Sequence, residues 1–148
     1  MAEAGTQVFR VSLNPKLYRD IEIPTSKKLY DLASAIVAAF GFDFDHAFGF
    51  YSLLKGNILR SPVKYELFAD MADMESDAGS VERTRTSVAF LEIGHKMTFL
   101  FDYGHTRLWQ IEVIGQRRRE RGVRYPRVVK RVGRAPEQYP PERQRRGR

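Results

Sequence analysis

The sequence contains no cysteine. Disulfides, thiolate zinc sites and cysteine nucleophiles are therefore excluded together, and a reducing cytoplasm fits the composition. No apolar run approaches the roughly 18–20 residues that cross a bilayer, so no membrane partner is expected. Met1–Thr6 has neither a basic n-region nor an apolar h-region, and the reading predicts no secretory leader. There is no glycine-rich phosphate loop, no nucleophile elbow and no His-Glu-x-x-His helix. No internal repeat occurs. These absences predict a non-enzymatic chain that needs no cofactor and no resident metal.

What is present suits a globular protein: 148 residues, 43% hydrophobic and 29% charged. That length builds one domain with a real core. The net charge of +7 is unevenly spread. Residues 1–115 carry 12 Lys/Arg against 15 Asp/Glu, a balance of −3, whereas residues 116–148 carry 13 against 3, a balance of +10. The reading predicts a single α+β domain over 1–141, with a core at 7–115, a basic extension at 116–141 partly packed on it, and a disordered basic tail at 142–148.

Hydrophobic periodicity supplies the elements. Phe9, Val11 and Leu13 alternate with Arg10 and Ser12. A turn follows at Asn14-Pro15-Lys16, and alternation resumes to Ile23 before Pro24, which predicts a β-hairpin. Leu29, Leu32, Ala33, Ile36, Val37 and Phe40 form one helical stripe, with Thr25 or Ser26 to cap its start and Gly41 to end it. Ala47–Leu53 reads as a third strand, residues 54–64 as a loop, Leu67–Met74 as a helical turn in an acidic excursion, and Ser87–Leu91 as a short helix. Lys96–Ile114 reads as a second hairpin turning near Gly104. An odd loop of three to five residues, pairing Phe101 with Trp109 and Phe99 with Ile111, gathers every large side chain on one face. The expected fold is thus a mostly antiparallel sheet of about five strands covered by one main amphipathic helix.

Several ordered motifs carry a resemblance: Leu29 to Phe40 followed by Gly41-Phe42 and Asp45-His46, then Phe99-Leu100-Phe101-Asp102-Tyr103-Gly104, Tyr125-Pro126-Arg127-Val128-Val129 and Ala135-Pro136-Glu137-Gln138-Tyr139-Pro140. Over residues 7–141 the chain resembles the plasmid pRiA ORF-three-like family, small and largely uncharacterised proteins found beside transposon and plasmid genes. The resemblance implies an α+β fold on a mixed or antiparallel sheet. The chain also departs from the family. Members place a histidine or tyrosine two residues beyond the first histidine, where this chain has Phe48 after His46. They show Asp-x-Gly-Asp-x-Trp, where this chain runs Asp102-Tyr103-Gly104-His105-Thr106-Arg107-Leu108-Trp109.

Three polar residues are catalytic candidates. His46, flanked by Asp43 and Asp45, fits a general base or a metal ligand, and equally a histidine that finishes a turn. Asp102 and His105 fit a dyad, or a turn in which Asp102 caps the backbone or pairs with Arg107. His95 carries no signal. Asp70, Asp73 and Asp77 fall at i, i+3 and i+7, as a cation site on a helix would need, but without EF-hand spacing a solvated acidic loop is the plainer reading.

The basic segment stands furthest above background. Arg117, Arg118, Arg119, Arg121, Arg124, Arg127, Lys130 and Arg131, with Tyr125 interleaved for stacking, form a candidate surface for nucleic acid without sequence specificity. Six to eight phosphate contacts would give log K a slope near −5 to −7 against log salt. The alternative is a module that binds a peptide or partner protein, with the basic tail incidental or folded onto the acidic stretch Glu66–Glu82.

Overall fold

The computed structural model of the protein describes residues 5–139. The N-terminal alternation forms β1 (Gly5–Asn14) and β2 (Leu17–Pro24), antiparallel, with Phe9 opposite Ile21 and Gln7 opposite Ile23. The helical stripe becomes α1 (Leu29–Ala39), which buries Leu29, Leu32, Ala33, Ile36 and Val37. Neither Thr25 nor Ser26 caps it. Lys28 occupies the N-cap, and its backbone N–H donates to the Asp31 carboxylate in the first turn at 2.9 Å. At the other end Gly41 adopts φ +75°. Gly41 N–H donates to Ala38 O and Phe42 N–H to Val37 O, a Schellman ending that turns the chain sharply toward the sheet.

Six further strands follow: β3 (Phe48–Tyr51), β4 (Lys64–Glu66), β5 (Gly79–Ser80), β6 (Lys96–Phe101), β7 (Arg107–Arg118) and β8 (Arg127–Val132). All eight make one sheet in the order β5-β4-β3-β6-β7-β1-β2-β8, antiparallel throughout except between β4 and β5. This corrects the expected five strands under one main helix. An 11-residue helix is about 16 Å long, while eight strands at about 4.8 Å span roughly 34 Å, so α1 covers only part of one face. Phe42, Phe44, Val81 and Phe90 from the connections cover much of the rest. The helix expected at Ser87–Leu91 is the single turn α2 (Thr86–Ala89).

The second hairpin keeps the expected faces in a shifted register. Phe99 pairs with Trp109, Met97 with Ile111 and Phe101 with Arg107, two residues from the expected partners. The loop Asp102–Thr106 has five residues, and a shift of two leaves every side chain on its own face. On the core face Phe9, Phe48, Phe50, Phe99, Phe101 and Trp109 are each at most 1% exposed. Residues 142–148, expected as a disordered tail, lie outside the described residues.

Candidate functional site

Two regions hold the candidate residues. The first is built at the hairpin end of β6. Past Gly41, Phe42 buries its ring against Trp109, 5.9 Å between centroids, and directs Asp43–Ala47 along that end of the sheet. There Asp102 N–H donates to Ala47 O at 2.9 Å, which fixes His46 beside the hairpin. Asp102 holds φ +69°, a conformation that a short polar side chain tolerates by bonding locally. Its Oδ1 accepts the N–H groups of Gly104 at 3.1 Å and His105 at 3.3 Å. Its Oδ2 lies 2.7 Å from His105 Nδ1 and 3.4 Å from His46 Nε2. One buried carboxylate therefore joins all three sequence candidates.

A strap from the C-terminal side completes the cluster. Gly133, at φ +86°, passes so close to Lys16 and Leu17 that a Cβ would lie 2.5 Å from Lys16 O. Arg107 then donates to Glu137 O at 2.8 Å and Gln138 O at 2.7 Å, and its guanidinium lies 5.0 Å over the Phe42 ring. Arg107 thus serves the strap while Asp102 caps the turn. Gln138 brackets Asp43, accepting its N–H at 2.7 Å and donating to its carbonyl at 3.1 Å. The Tyr139 hydroxyl donates to Asp45 Oδ2 at 3.0 Å, which leaves its oxygen to accept from His46 Nε2 at 2.6 Å.

The electrostatics follow from these contacts. Burial works to raise the Asp102 carboxyl, but the His105 ring, the His105 N–H and the charges of both histidines outweigh it and hold the group below the usual aspartate range. Burial and the hydrogen bond to Asp45 push the Tyr139 hydroxyl up, so it stays a phenol. The Asp102 contact orients the His105 ring through Nδ1 and turns Nε2 outward on a side chain 60% exposed. His46 Nε2 is committed to the strap. Among the described residues no group of three or more His, Asp or Glu side chains can hold a metal ion. The helical acidic face does not form either. Its turn ends at Asp70, which accepts from Ser80 and the Glu82 N–H, while Asp77 pairs with Lys64.

The second region is the basic segment, which completes β7 and forms the edge strand β8. Glu22, on β2 and 1% exposed, clasps two of its arginines: Arg127 Nη2 at 2.9 Å and Arg117 Nη1 at 3.5 Å. Its other oxygen accepts from the buried Thr6 hydroxyl at 2.6 Å. Tyr125 lies between Arg119 and Arg127, whose guanidinium carbons stand 5.4 and 5.6 Å from its ring centroid, and its hydroxyl accepts from Glu120 N–H. The ring is thereby engaged internally. Arg118, Arg119, Arg121, Arg124, Lys130 and Arg131 are exposed, and none forms an ion pair among the described residues. Between β8 and α1 runs a groove of about 180 Å³, lined by Ile21, Ala35, Ala38, Ala39 and Val128 with Arg127 and Arg131 at its wall.

Sequence reasoning named His46, Asp102 and His105 without showing that they meet, and it missed Glu22, Gln138 and Tyr139 as partners. Glu22 left a faint signal as a carboxylate within a strand that buries both faces. Its arginine partners stand about a hundred residues away, beyond the reach of periodicity.

The comparisons with known proteins agree with this architecture. A family model described as plasmid pRiA4b ORF-3-like protein matches residues 7–140. The crystal structure of the protein of unknown function MM3350 from Methanosarcina mazei Go1 superposes with a TM-score of 0.72 at 19% identity, covering 93% of this chain and 74% of that one. No curated protein matches the chain. Among the described residues no helix is long and apolar enough to cross a membrane.

Proposed function

The chain belongs to the plasmid pRiA4b ORF-3-like family, and from that premise, which supplies no activity, we propose a non-enzymatic binding domain that contacts nucleic acid phosphates along β8 and the end of β7. One observation carries the reading. The acidic stretch Glu66–Glu82 includes the β4–β5 edge of the sheet, whereas Lys130 and Arg131 stand on β8 at the opposite edge. Seven strand spacings of about 4.8 Å separate them by roughly 34 Å, some four Debye lengths at physiological salt. Neutralisation of those two by that stretch is therefore screened out, and Arg118, Arg119, Arg121 and Arg124 form no ion pair among the described residues. Glu22 compensates Arg117 and Arg127, and six cations remain to meet a polyanion.

Fluorescence anisotropy with labelled duplex and single-stranded oligonucleotides tests this reading. The variant replaces Arg118, Arg119, Arg121 and Arg124 with Gln. Point changes are needed because residues 116–118 complete β7 and residues 127–132 form β8, so truncation at Gln116 would dismantle the sheet. Binding that weakens steeply with salt and is lost in the variant supports the proposal. No binding by the native chain at low salt refutes it.

A further inference from the structure

We infer that the groove between α1 and β8 seats an unpaired base of a single-stranded nucleic acid whose phosphate lies on Arg131, an inference that rests on the phosphate-contact reading above. The groove floor is apolar: Ile21 is 1% exposed and Ala39 9%, and Ala35, Ala38 and Val128 flank them. A flat base buries its faces in such a slot, whereas the bases of a duplex are stacked and cannot enter. Guanidinium planes also stack on bases, and Arg131 at the groove is placed for this, whereas Arg127 turns its head away to Glu22 on the opposite face of the sheet. Tyr125, the obvious stacking residue, is held between Arg119 and Arg127, so a base is offered the groove instead.

Charge decides the class of occupant. Arg19 is 6% exposed and stands opposite Arg131 across the β2–β8 ladder. It donates to the carbonyls of Ala39, Tyr18 and Val132, and among the described residues neither arginine has a carboxylate partner. Two uncompensated guanidiniums beside an apolar slot complement an apolar ring carrying an anion, which a nucleotide is and an uncharged peptide is not.

The test compares oligothymidylate, an abasic strand of equal length and a duplex, titrated at low salt into the full chain and into Ala38→Leu. Ala38 is exposed on α1 and leucine is a good helix former, so the variant fills the groove without opening the core. Ala38→Gln crosses the same groove and guards against a misfolded first variant, with circular dichroism as the check. The expected result is oligothymidylate bound about tenfold tighter than the abasic strand, an increment within the range for one stacked base and lost in both variants. Arg131→Gln weakens both single strands. Equal affinity for all three ligands, unaffected by groove filling, overturns the inference and leaves the phosphate reading intact. No binding to any of them overturns both. Polyglutamate binding that responds to Ala38→Leu, without a thymidylate preference, also overturns it by assigning the groove to an acidic peptide.

Discussion

Replacing Glu22 with alanine separates the structural and functional roles of the arginine clasp. The carboxylate is 1% exposed and accepts the hydroxyl of Thr6, itself 1% exposed, at 2.6 Å. Without it the hydroxyl keeps only the Arg117 carbonyl at 3.5 Å, the outer limit of a hydrogen bond, and an under-satisfied polar group in the interior costs on the order of 1–3 kcal/mol. Arg117 and Arg127 each keep a face in water and rehydrate, so the loss centres on Thr6, at about 2 kcal/mol. For a chain of this length that lowers Tm by about 4–8 °C. Adding Thr6→Val removes the stranded hydroxyl and recovers most of the loss. Binding moves the opposite way, because two compensated cations join the six already exposed. At about 0.9 per phosphate, the slope of log K against log salt for duplex steepens from near −5 to near −7. Calorimetric melts and salt-titrated anisotropy measure the two halves. An unchanged Tm together with an unchanged slope would refute the clasp as both a structural and an electrostatic element.

Other expectations are narrower. Gly133→Ala forces a Cβ to within 2.5 Å of Lys16 O and 2.9 Å of Leu17 Cα at φ +86°; with backbone on both sides it costs about 2 kcal/mol or more, read as a lowered urea midpoint. Asp102 has a depressed folded-state pKa, so its contribution is full above the ordinary aspartate value of 3.8 and is lost as pH falls below it. The Tm gap between native protein and Asp102→Asn is therefore widest at neutral pH and closes below about 3.8, and a constant gap across that range would contradict the assignment. Trp109 Nε1 is the one buried side-chain nitrogen or oxygen without a hydrogen-bond partner among the described residues. Trp109→Phe forfeits no hydrogen bond, so the loss seen in chemical denaturation is that of the vacated core volume alone, about 1–3 kcal/mol.

Much of the fold was legible because it rests on local periodicity. The alternation through β1 and β2, the α1 stripe and Gly41 at its end each appear where their spacing predicts. The missing strands share another character. β4 and β5 have three and two residues, too few for a period, and β8 reads Arg-Val-Val-Lys-Arg-Val, charges befitting an exposed edge but resembling a tail in sequence. The hairpin faces followed from parity, but the two-residue shift depended on Asp102 folding its carboxylate back over Gly104 and His105. The candidate site was legible only in pieces. His46 meets Asp102 through Ala47, and Tyr139 meets His46 because the chain crosses the sheet end after β8, closures that no local pattern encodes.

The opposed edges of the sheet give the molecule an electric moment across its width. Near a charged rod such as a nucleic acid strand, the field attracts one rim and repels the other, and the resulting torque rotates the protein before any side chain touches. On the proposed function, encounters then arrive with β8 leading, and added electrolyte, by shortening the reach of that torque, is expected to slow capture as well as weaken what is captured.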